Sequence, residues 1–141
     1  MLDVLSPYIV AGLVAWLLAQ GIKVLVATIK KQGSWRNVYL SGGMPSAHSA
    51  TVSAVLIIIG ITEGAQSVTF GVAALLSAIV VYDSVKLRRS SGEQGEAIAA
   101  LIKESKSRVQ VPRISYGHTP LEALVGVALG AVVAVVINFY I

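Results

Sequence analysis

Four stretches of this 141-residue chain are long, apolar and nearly free of charge, at about residues 7–29, 47–61, 68–88 and 119–141. A helix needs about 20 apolar residues to cross the hydrocarbon of a bilayer. Inside that layer each backbone N–H and C=O must be satisfied within the protein. The fold expected is therefore an all-α integral membrane protein, one membrane domain over 1–141 with about four transmembrane helices in a bundle. Composition agrees, since 13% of the residues are charged against about 25% in soluble domains. The second run is the shortest, and it can begin within the turn Gly42-Gly43-Met44-Pro45. The first run has Asp3 ahead of it rather than a basic segment, and no small-residue cleavage site after it. It reads as a retained helix, not a signal peptide. With no cysteine, disulfides and thiolate metal sites are excluded.

The cations are placed unevenly. All eleven Lys and Arg fall between Lys23 and Arg113, and the turn from Thr62 to Gln66 has none. Basic loops stay in the cytoplasm. Both chain ends are then expected outside, with Lys30, Lys31 and Arg36 in one cytoplasmic loop, Lys23 just inside the first run, and the other seven cations between the end of the third run and the start of the fourth. Lys31, Lys103 and Lys106 read as topology signals that also meet anionic lipid, and Trp35 as an interface anchor. This explanation leaves no reason to invoke nucleic acid. In the third loop, residues 93–105 carry apolar pairs at 97/98 and 101/102. That is the spacing of an amphipathic helix, lying on the membrane surface or capping the bundle. On the fourth run Gly126, Gly130 and Ala134 form a small-residue face, usable within the bundle or by a homodimer.

The chain has two histidines, and each stands where a long apolar run begins. His48 lies in Gly42-Gly43-Met44-Pro45-Ser46-Ala47-His48-Ser49. Pro45 suits a first helical turn, Gly43 permits close backbone approach, and the helix start with Ser46 favours an anion. An ordinary helix cap with an incidental histidine would have the same sequence. His118 precedes Thr119-Pro120-Leu121-Glu122, where Thr119 and Glu122 fit a capping box. Glu122 also stands four residues after His118 and can accept its ring N–H; the two uses of one carboxylate compete. Gln20, Lys23, Ala27 and Lys30 share a helical face by their spacing. Lys23 faces the bundle interior or snorkels to headgroups. Arg88 and Arg89 stand at the end of the third run, with Asp83 about a turn earlier to hold an arginine or a histidine.

These motifs resemble the divergent type-2 phosphatidic acid phosphatase-like family, related to lipid phosphate phosphatases and vanadium haloperoxidases. The resemblance rests on Gly42-Gly43-Met44-Pro45-Ser46-x-His48-Ser49-Ala50-Thr51, Tyr82-Asp83 with Arg88, Gly92-x-Gln94 and Gly117-His118-Thr119-Pro120, with Gln20 and Lys23. It implies a metal-independent, cofactor-free phosphatase of a bacterial inner membrane. It makes His118 the nucleophile that becomes phosphohistidine, His48 the acid that protonates the leaving alcohol, and Glu122 the counterpart of an aspartate. Arg88, Lys23, Ser46, Gly43 and Arg89 would hold phosphate, with Asp83, Gln20, Gln94 and Thr119 in support. The sequence departs from the superfamily at Ala47, where a glycine is usual, at Pro112, where an arginine is usual, and between Lys30 and Arg36, one residue short of the first motif. The expected substrate is a glycerophospholipid phosphate monoester, phosphatidylglycerol phosphate or phosphatidic acid, met at the cytoplasmic face. The alternative is a silent lipid-phosphate binder or scaffold.

Overall fold

A computed structural model describes residues 6–29, 43–111, 114 and 116–140. Lys30, Lys31, Trp35, Arg36, Gly42, Pro112 and Arg113 lie outside the described residues. Five helices follow in order: α1 Pro7–Ile29, α2 Ala47–Thr62, α3 Val68–Val85, α4 Leu87–Glu104 and α5 Pro120–Asn138. Helices α1, α3 and α5 are long and apolar enough to cross a membrane, and α2 is a shorter apolar helix. The architecture is a membrane helical bundle. Many large apolar side chains face outward, among them Leu75 and Ile79 of α3 at 69% and 65% exposed. In water such a surface would drive aggregation, whereas in lipid it is the solvated surface.

The shortest helix holds the centre. Helix α2 touches α1, α3 and α5, and α1 also touches α5. At about 1.5 Å per residue its 16 residues rise about 24 Å, short of the ~30 Å hydrocarbon layer. Three neighbours pack around it, so its ends need not reach the headgroups. Lipid supplies no hydrophobic drive for one helix to find another, so close packing must do so. The core is accordingly built from small residues, with Ala11, Ala15 and Ala19 of α1 against Ala47, Ala50, Ala54 and Ile58 of α2 and Val133 and Ala134 of α5.

The Gly126/Gly130 face serves this packing. A Cβ added at Gly126 would run into the Ser46 carbonyl, and one at Gly130 into the Ala50 carbonyl. Helix α2 of the same chain thus fills that face, and it is not open to a second copy. Ser53 ties the same two helices, its hydroxyl donating to the Val127 carbonyl at 2.9 Å.

The amphipathic helix starts at Leu87 rather than near residue 93, directly after α3. A single residue, Lys86, separates the two, with φ −101° and ψ −62°. The polar residues Arg88 to Gln94 do not end the helix, because Lys86 to Glu104 contain no proline and the helix can turn its apolar side without breaking. Helix α2 starts at Ala47, where its apolar run begins, and does not extend back into the turn. Ser46 is its N-cap, so Pro45 precedes the helix instead of occupying its first turn. Pro120 does stand in the first turn of α5, behind the Thr119 cap.

Candidate active site

His118 is set by contacts on both sides of it. Its backbone N–H donates to the Ser84 carbonyl at 2.9 Å, near the end of α3, where Lys86 separates it from α4. Gly117 makes that approach feasible: a Cβ there would lie 2.5 Å from the Arg89 nitrogen and 2.9 Å from the Ser84 oxygen. After His118 comes the capping box of α5. The Thr119 hydroxyl accepts from the Glu122 N–H at 3.3 Å, and Glu122 Oε2 accepts from the Thr119 N–H at 2.9 Å. The same Oε2 lies 3.4 Å from His118 Nδ1. The two roles therefore do not exclude each other, because one carboxylate oxygen has lone pairs for both partners. The shorter distance belongs to the cap, so the cap fixes the carboxylate and the carboxylate orients the ring.

The imidazole of His118 is buried, at 7% exposure. Burial, reinforced by the charge of Lys23, holds its pKa below the ordinary histidine value, while the hydrogen bond and charge of Glu122 act in the opposite sense. With Nδ1–H directed to Glu122, Nε2 carries the free lone pair. A neutral ring in that tautomer can attack an electrophile.

The other charges converge on the same end of the bundle. Lys23 lies eleven residues beyond Gly12 on the α1 face that packs against α2, and it is half-buried. Its ammonium is within electrostatic reach of Glu122 and of both histidines. His48 is exposed, although Ala47 and Ser49 beside it are buried. The charges of Arg88, Lys23 and Asp83 act on it. Arg88 Nε donates to Asp83 Oδ2 at 3.2 Å, so Asp83 holds the arginine and not a histidine. His48, His118, Lys23, Glu122, Arg88 and Asp83 thus form one polar group drawn from all five helices and the segment before α5.

Other residues expected here have different duties. Ser46 is fully buried. Its hydroxyl accepts from the N–H and hydroxyl of Ser49, at 3.3 and 3.0 Å, and its N–H donates to the Glu122 carbonyl at 3.1 Å. It caps α2 and joins it to α5, and offers no face to a phosphate. Arg89 pairs with Glu93 at 3.3 Å and is well exposed, and its charge is not among those acting on either histidine. Gln94 Nε2 donates to Ser90 at 3.4 Å on the exposed side of α4. Gln20 is half-buried one turn before Lys23. Gly43 has φ +101°, a conformation glycine adopts without strain, just ahead of the capped start of α2. Ser84 escaped the sequence reading, and Gly117 entered it only as part of the motif around His118. A serine inside an apolar run is mute about its carbonyl, whereas the Gly-His pair did carry a signal of close approach.

A small-residue membrane bundle with two histidines at one end defines a class of protein, and comparison makes it specific. The family model described as the divergent PAP2 family matches residues 5–133. The chain belongs to that family. It is similar to an uncharacterized membrane protein, YuiD, of Bacillus subtilis (strain 168), with 28% identity over 148 residues covering 94% of each chain. No solved structure matches it.

Proposed function

We infer that the protein is a lipid phosphate phosphatase that hydrolyses a glycerophospholipid phosphate monoester at the cytoplasmic face. The observation that carries the reading is the buried His118 held through Nδ1 by Glu122, with Lys23 and His48 within electrostatic reach of it. Nε2 of His118 attacks phosphorus, the P–O bond to the lipid alcohol breaks, and His48 gives that alcohol its proton. Water then attacks the phosphohistidine, His48 takes the water's proton, and inorganic phosphate and free His118 are released. Lys23 and Arg88 offset charge on the non-bridging oxygens as it develops. Neither metal nor cofactor enters this sequence. Phosphatidylglycerol phosphate and phosphatidic acid are made on the cytoplasmic side, and the uneven placement of the cations supports that face.

One observation favours a second reading, a silent lipid-phosphate binder. The cation bearing on His118 is a lysine, and Arg88 is already engaged by Asp83. Purified protein in detergent, offered a panel of lipid phosphates, decides between them. Phosphate release that is lost in His118→Ala supports catalysis. Saturable lipid binding with no release from any substrate supports the binder.

A further inference from the structure

Among the described residues, helix α2 is walled on three sides and open on the fourth. Its α1 side is marked by Thr51 and Val55, whose methyls lie 3.5 and 3.0 Å from a Cβ placed on Gly12. Its α3 side is marked by Val52, whose carbonyl accepts from the Ser77 hydroxyl at 3.2 Å. Its α5 side is marked by Ser46 and Ser49, against Gly126. At 3.6 residues per turn, His48 points between the α1 and α3 sides. Helices α1 and α3 make no contact with each other among the described residues, so a groove runs between them with α2 as its floor.

The groove tapers. His48 is exposed, Val52 and Val55 are half-buried, and Ile59 is 4% exposed. Beyond Ile59 the two walls are joined by Glu63: Tyr8 of α1 donates to its carboxylate at 2.7 Å, and Thr69 of α3 hydrogen-bonds it as well. From His48 to Ile59 the floor is about 16 Å long at about 1.5 Å per residue. That is about half of the ~30 Å hydrocarbon layer, the depth of one leaflet.

We propose that this groove is an acyl-chain site, in which one fatty-acyl chain of an anionic membrane lipid lies along α2 while its phosphate sits at His48. The chemistry along the strip selects this occupant. Two cations, Lys23 on the α1 wall and Arg88 on α4 just past the end of the α3 wall, flank the histidine end, and the floor beyond Thr51 is aliphatic as far as the clasp. A lipid with a phosphate head and a tail of one leaflet's length meets both demands. A helix of a second copy, about 10 Å across, would have to part walls that Glu63 ties together. The proposal rests on the reading of the histidine site as a phosphate site, and it makes the substrate a bilayer-resident lipid rather than a water-soluble ester.

Photolabelling of the full chain tests it. The protein is placed in phosphatidylcholine nanodiscs containing phosphatidic acid with a diazirine midway along one chain, and adducts are mapped by peptide mass spectrometry. Adducts are expected to concentrate several-fold on Val52 and Val55 over Leu75 and Ile79 of outer α3. Unlabelled phosphatidic acid should suppress them, and glycerol 3-phosphate, a head without a tail, should not. Equal labelling of the two regions overturns the proposal, as do equal labelling by diazirine phosphatidylcholine and equal competition by glycerol 3-phosphate. Labelling needs no turnover, so the two readings fail separately. Groove adducts without phosphate release sink only the catalytic step, and phosphate release without groove adducts sinks only the groove.

Discussion

Glu122 does two jobs with one oxygen, and variants can separate them. Glu122→Gln keeps an oxygen for the Thr119 N–H but loses the charge that faces His118. It should leave stability nearly unchanged and slow phosphate release roughly 100-fold. Glu122→Ala removes the cap too, and should cost about 1 kcal/mol of stability besides the rate. Thermal unfolding in detergent, run beside the phosphate assay, reads both effects. His118 adds a pH dependence. Its pKa in the folded chain lies below the ordinary 6.5, so in acid the unfolded chain takes up a proton that the folded chain does not. The associated stability is present above pH 6.5 and is lost as pH falls toward the folded value. His118→Gln should flatten that part of the stability profile between neutral and mildly acidic pH. At this scale the sequence was legible in part. The capping box and the His118–Glu122 spacing follow from residues three and four apart. The burial of Ser46 does not, because it depends on Gly126, 80 positions away, meeting the start of α2.

Helices that pack backbone to backbone tolerate no added volume. At Gly130 a Cβ meets backbone, which cannot rotate aside as a side chain can. Gly130→Ala should cost about 1–3 kcal/mol. Gly71 of α3 has nothing within 4 Å of an added Cβ, and Gly71→Ala should be neutral or mildly stabilising through helix propensity. A comparison of unfolding temperatures in detergent tests the pair. The four apolar helices were legible because charge is so sparse within them. The start of α4 was not. Its first residues, Leu87 to Gly92, are mostly polar, and what keeps them helical is continuity with α3, which a local pattern does not reveal.

At the scale of the whole molecule, every cation lies at or between positions 23 and 113, and the far end carries Glu63 with its Tyr8 clasp. If both ends lie outside, as the cation placement predicts, reporter fusions after Ile141 should be active only outside the cytoplasm and insertions near Lys106 only inside it. The reverse pattern would move the histidine site to the outer face and remove the argument for a substrate made inside. That α2 rather than a longer helix forms the centre could not be read from hydropathy. It follows from the small residues that α1 and α5 both turn toward it.

The central claim is that His118 attacks phosphorus. It is tested most directly by quenching wild-type protein and His118→Ala during turnover of phosphatidylglycerol phosphate or phosphatidic acid, then locating phosphoryl groups by mass spectrometry under conditions that preserve phosphohistidine. The expected result is a phosphoryl group on His118 of the wild type, and neither that group nor released phosphate in the variant. Phosphate release by His118→Ala at the wild-type rate would contradict it.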